Sequence, residues 1–126
     1  MLMERYDPLV ASEAEEWLSL DEAERIDLVQ KYHRRAHVRL PNPVIHAAIH
    51  TAVENQVSLG DEVPAHRTLG RLMREGLDRH EAIHAMGSVL AEHMSNLLRA
   101  ESAIPEPNAI YFAALERLTA KGWRSS

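Results

Sequence analysis

Helix start and stop signals recur at short intervals along this chain and favour an all-α fold. Two segments open with a capping box, in which a polar residue is followed three positions later by a glutamate: Ser19 with Glu22, and Asp78 with Glu81. Prolines and glycines separate the segments, and no alternating Val/Ile/Thr run or Asn-Gly turn predicts a strand or a hairpin. Five main helices are predicted, over about residues 20–38, 43–60, 64–76, 79–99 and 108–121, with a short helical turn at 12–18 before them.

Length and composition predict a single compact helical bundle. The 126 residues suit one domain, in which residues 19–122 form the bundle and residues 1–18 an N-terminal extension. The absence of cysteine excludes disulfides, thiolate metal sites and thiol nucleophiles. No apolar run approaches the length of a membrane span, and residues 1–8 lack a signal-peptide core, so we expect a cytoplasmic protein without a membrane partner. A net charge of −5 argues against nucleic acid as the main partner, and the fold class alone leaves a homodimer open.

Histidine is the residue type whose placement is unusual. Chance placement of eight histidines in this chain would give roughly half a pair at four-residue spacing, where both rings lie on one helix face. The chain has three such pairs: His33/His37, His46/His50 and His80/His84. Four-residue spacing stacks two imidazoles one turn apart, which is how a helix supplies two ligands to a metal ion.

The predicted helices bring the three histidine pairs together. On helical wheels each pair lies on an apolar face or at its edge. If short connections make successive helices antiparallel, the first helix ends where the second and the fourth begin, and all six histidines lie at that end. Neutral imidazoles suit transition metals, whereas calcium and magnesium prefer oxygen ligands. Carboxylate-bridged di-iron sites need glutamates on facing helices, including Glu-x-x-His motifs, and the chain lacks that full pattern, so we favour a single zinc or iron ion.

The third histidine pair also matches the motif of zinc peptidases. Residues 80–84 read His-Glu-Ala-Ile-His, the H-E-x-x-H pattern that supplies two zinc ligands and a general base. The longer form of this signature needs a third histidine at position 90, where the chain has Leu90. The motif makes Glu81 a candidate catalytic base, but we favour its role in the capping box with Asp78.

Other polar residues near the pairs have less specific interpretations. Glu54 follows His50 by one turn but lies about 40° outside its direction, so we interpret it as a solvated surface glutamate. Gln56 falls in the apolar arc of the second helix, where its amide would support a metal ligand or bond to the backbone. His66 and His93 have no partner at ligand spacing and are interpreted as surface or boundary residues.

One stretch of the chain resembles a known family. Residues 42–56 read Asn-Pro-x2-His-x3-His-x5-Gln, and the H-E-x-x-H motif follows at residues 80–84. This combination is similar to an uncharacterised bacterial family catalogued as domain of unknown function 1841, over about residues 41–97. The resemblance implies no reaction. It implies that six residues act as a set: His46, His50, Gln56, His80, Glu81 and His84.

These observations predict a protein that binds a transition metal through paired histidines on neighbouring helices. One alternative is a metal-free helical interaction protein whose core histidines are structural or respond to pH. Another is a metal-dependent hydrolase, in which the ion activates a water molecule and Glu81 accepts its proton.

Overall fold

The computed structural model describes residues 5–36 and 42–125, and within those ranges every regular element is helical. This confirms the all-α fold class. The helices are α1 (Ala14–Ser19), α2 (Glu22–Arg35), α3 (Pro43–Ser58), α4 (Ala65–Arg74), α5 (Arg79–Arg99), α6 (Pro107–Arg117) and α7 (Ala120–Arg124), and a 3-10 turn (Gly60–Glu62) joins α3 to α4. Among these helices, none is both long and apolar enough to pass through a lipid bilayer.

The starts of α3 and α5 are as the sequence predicts. The Asn42 side chain accepts a hydrogen bond from the backbone N–H of Ile45, and Pro43 takes the first helical position. Both halves of the capping box between Asp78 and Glu81 are present at the start of α5. These caps fix where the two helices begin and therefore the direction in which their first histidines point.

The predicted start of α2 is wrong by two residues. Ser19 ends α1, and its hydroxyl donates to the backbone carbonyl of Glu16 at 2.7 Å, so it does not cap the next helix. The capping box instead joins Asp21 and Glu24, whose carboxylates each accept from the other's backbone N–H. The predicted C-terminal turn of this helix, with His37, lies outside the described residues.

The predicted last helix is two helices. α6 ends at Arg117, and the Thr119 side chain accepts from the backbone N–H of Gly122 at 3.0 Å to cap α7. Gly122 therefore lies inside α7 and does not end the preceding helix.

α3 is the central helix, and it contacts α1, α2, α4 and α5. One apolar core is formed mainly by residues of α3, α4, α5 and α6, and a second smaller core holds Tyr6, Trp17, Leu28, Val29 and Ala47. The N-terminal segment thus contributes two fully buried aromatic rings to the second core. Beside this second core, the C-terminal end of α2 lies against the N-terminal ends of α3 and α5, as the contacts of His33 with His46 and His80 show.

Candidate metal centre

Five histidine rings from three helices form one cluster. They are His33 of α2, His46 and His50 of α3, and His80 and His84 of α5. The ring centroids are 4.8 Å apart for His33 and His46, 5.3 Å for His50 and His84, and 4.2 Å for His80 and His84. The three helix ends that the sequence analysis predicts to converge therefore do so.

Four of these rings offer nitrogen atoms at distances that suit one metal ion. The ligand atoms of His33, His50, His80 and His84 all lie within 4.8 Å of one another. Four nitrogens around a tetrahedral ion would be about 3.3 Å apart, so side-chain movements of about an ångström would close the set. The Nε2 atom of His46 is 3.1 Å from the Nε2 atom of His84 and adds a fifth nitrogen beside them.

Three buried nitrogens of the cluster have no hydrogen-bond partner among the described residues: Nε2 of His33, Nδ1 of His50 and Nε2 of His80. Leaving a buried polar atom without a partner costs about 1–3 kcal/mol. Three such atoms on neighbouring rings are therefore unusual in a protein core. A metal ion bound to these nitrogens would remove their unfavourable free energy.

The backbone of α2 sets the tautomer of His33. Its Nδ1 atom lies 2.8 Å from the carbonyl oxygen of Val29. A carbonyl oxygen only accepts, so Nδ1 carries the proton and donates it, and the lone pair resides on Nε2. The partnerless Nε2 atom is thus the one able to bind a metal ion.

A buried chain of hydrogen bonds sets the tautomer of His50. Arg79 binds both carboxylate oxygens of Glu54 at 2.7 Å each. The Tyr6 hydroxyl donates to the same carboxylate, so its oxygen is left to accept from Nε2–H of His50 at 2.7 Å. The lone pair of His50 is therefore on Nδ1, its partnerless atom. Outer hydrogen bonds of this kind commonly orient histidines that bind metals.

The prediction of Glu54 as a solvated surface residue is wrong, because its carboxylate is only 1% exposed. The helical wheel treats only one face of α3 as buried. Outside that face, Glu54 is covered by Tyr6, which precedes α1, and by Arg79 of α5, and both side chains form hydrogen bonds with its carboxylate. The one-turn spacing from His50 to Glu54 was the available signal. Nothing in the spacing pointed to Tyr6, which is 44 residues from His50, or to Arg79, which directly precedes the H-E-x-x-H motif.

The surroundings of four rings of the cluster lower their pKa values and so favour the neutral form. Burial, followed by repulsion from the neighbouring rings, lowers the pKa of His84 to about 3 and that of His50 well below its ordinary value. Burial and neighbouring rings also lower the pKa values of His46 and His80. Burial raises the pKa of Tyr6, so its hydroxyl keeps the proton that it donates to Glu54. Neutral imidazole is the form that binds metals.

Glu81 is occupied at the start of α5. Its Oε1 atom accepts from the backbone N–H of Asp78 at 3.1 Å, and its own N–H donates to Asp78 Oδ1 at 2.8 Å. The capping role favoured from the sequence is confirmed. A glutamate that bends back toward its helix N-terminus is poorly placed to act as a base at the cluster.

Three further residues named in the sequence analysis lie apart from the histidine cluster. The amide oxygen of Gln56 accepts from the Tyr111 hydroxyl at 2.6 Å, which places it in the larger core. His66 is exposed, and half-buried His93 stacks on Tyr111, so the interpretation of both as surface or boundary residues is confirmed.

A family model described as Domain of unknown function (DUF1841) matches residues 9–117. The chain belongs to this family. The match confirms the resemblance and extends it on both sides, so that His33 joins the matched histidines while Tyr6 lies outside the matched range. Neither the search of curated proteins nor the search of solved structures found a match.

Proposed function

We propose that this member of the DUF1841 family binds one transition-metal ion, zinc or iron, at the histidine cluster. The observation that carries the proposal is the clustering of four histidines from three helices, whose ligand atoms lie within 4.8 Å of one another. Three of these rings also carry a buried nitrogen without a partner among the described residues: His33 Nε2, His50 Nδ1 and His80 Nε2. In His33 and His50 the opposite ring nitrogen donates a hydrogen bond and so carries the proton, which leaves the lone pair on the partnerless nitrogen. His84 supplies a fourth ligand.

The chemistry of the ligand set favours these metals. Imidazole nitrogen suits zinc and iron, and a neutral set does not require the all-oxygen shell that calcium and magnesium prefer. The nearest buried carboxylate, Glu54, is neutralised by Arg79 and reaches the cluster only through Tyr6. The ion would therefore keep its full charge and would favour a hydroxide or another anion as a fifth ligand beside the four histidines.

Elemental mass spectrometry on untagged protein, purified without metal-affinity resin, tests the proposal. We expect close to one zinc or iron ion per chain, lost in His33→Ala and in His84→Ala. His66→Ala is the matched control, because it removes an exposed histidine outside the cluster and should leave the metal content unchanged. Circular dichroism on each variant separates loss of metal from loss of fold.

A folded wild-type chain that stays metal-free after supplementation with zinc and iron would contradict the proposal. The histidines would then be core residues of a metal-free helical protein, structural or responsive to pH.

A further inference from the structure

The histidine cluster has a closed side and an open side. His33 is buried at the closed side, and the partnerless Nε2 atom of His80 is buried as well. His46, His50 and His84 line a cleft of about 410 Å³ between α3 and α5, and of these three His50 is buried. An ion held by the cluster would therefore be reached from solvent through this cleft.

Apart from its histidines, the cleft is mainly apolar. Its walls are formed by Ile45, Ile49, Ile83, Ala91 and Trp123, and its polar lining residues, apart from the histidines, are Asn42 and Ser88. No acidic or basic side chain lines it among the described residues. Ile45 is 58% exposed, so part of the apolar wall faces solvent.

Small residues of α5 continue the line of His80 and His84 along the cleft. A β-carbon at Gly87 would lie 3.3 Å from the Ile49 side chain, so α3 and α5 approach closely at this level. One turn further along α5, Ala91 also lines the cleft. The cleft thus extends from the histidines along a wall of small residues.

We propose that this cleft binds a small amphipathic anion, with a carboxylate on the metal ion and an apolar chain along Ile45, Ile49 and Ala91. The inference rests on the metal binding proposed above. The neutral ligand set favours an anionic head as a further ligand on the side of the ion that faces the cleft, and the uncharged walls favour an apolar body. The chemical class is therefore a medium-chain carboxylic acid or a close analogue.

Cobalt-substituted protein provides the test, because cobalt(II) absorption bands report directly on a new ligand. Octanoate should shift the bands and bind at least tenfold more tightly than acetate, since each buried methylene strengthens binding about fourfold. Octanol, which has the chain without the carboxylate, should leave the bands unchanged.

Two matched variants locate the binding. Ala91→Phe fills the cleft and should weaken octanoate binding at least tenfold while acetate binding and the cobalt spectrum stay as in the wild type. Ala113→Phe places the same ring on an exposed residue of α6, outside the cleft, and should change neither.

The outcomes separate this inference from the proposed function. Cobalt uptake with equal affinity for acetate and octanoate would overturn the cleft proposal and leave metal binding in place. An equal effect of Ala91→Phe and Ala113→Phe would also overturn it. Failure to take up cobalt or zinc would overturn both proposals.

Discussion

Replacing Tyr6 by phenylalanine removes one hydroxyl from the chain that sets the tautomer of His50. The bidentate pair of Arg79 and Glu54 stays complete, so the variant does not leave a buried charge without its partner. Nε2–H of His50 loses its acceptor, which lies 2.7 Å away in the wild type. The ring is then free to place its proton on Nδ1, the atom that we expect to bind the metal.

Two effects of Tyr6→Phe can be measured separately. An unsatisfied buried donor should lower the free energy of unfolding by about 1–3 kcal/mol, measured by urea denaturation of the metal-free protein. Loss of the orienting hydrogen bond should weaken zinc binding by about 10–100-fold, measured by competition with a chromophoric chelator.

Tyr111→Phe is the matched control for this experiment. It removes a buried hydroxyl that donates to Gln56 at 2.6 Å, but in the core away from the histidines. We expect it to lower stability without changing zinc affinity. If Tyr6→Phe bound zinc as tightly as the wild type, the argument that this hydrogen-bond chain presents Nδ1 of His50 would be refuted.

Three further predictions concern the charges around the site. Four histidines of the cluster, His46, His50, His80 and His84, have pKa values below 6.5 in the folded chain, so the unfolded chain takes up more protons in acid. The urea concentration at the unfolding midpoint of the metal-free protein should therefore decrease as the pH is lowered from about 6.5 to 5, and a constant midpoint would contradict this. Arg79→Met leaves Glu54 buried and unpaired and should cost about 3–5 kcal/mol in urea unfolding; adding Glu54→Leu should recover part of this loss, and no recovery would argue against the pair. Glu81→Ala removes one of the two hydrogen bonds of the capping box and should lower the midpoint of thermal unfolding without changing zinc affinity. A large loss of zinc affinity would show that Glu81 contributes to metal binding.

The features that the sequence predicts correctly depend on neighbours in the chain. The Asn42 cap, the Asp78–Glu81 capping box and the four-residue histidine spacing each involve atoms within one helical turn. Local ambiguity explains the errors at helix ends. Ser19 and Asp21 both precede a suitable glutamate, and only the end of α1 decides between them.

The hydrogen bonds that tune the site depend on distant parts of the chain. Tyr6 reaches His50 across 44 residues, and Arg79 reaches Glu54 across 25. A helical wheel could not place Glu54, because its burial comes from two different neighbours of α3. The clustering of the histidines was therefore predictable from their spacing, whereas the hydrogen bonds that fix the tautomers of His33 and His50 were not.

Anomalous diffraction from crystals of the zinc- or iron-loaded protein tests the central claim most directly. The predicted result is one anomalous peak at about 2.0–2.1 Å from His33 Nε2, His50 Nδ1, His80 Nε2 and a ring nitrogen of His84. A peak away from the cluster, or an ion bound to His50 through Nε2 with Tyr6 displaced, would contradict the account.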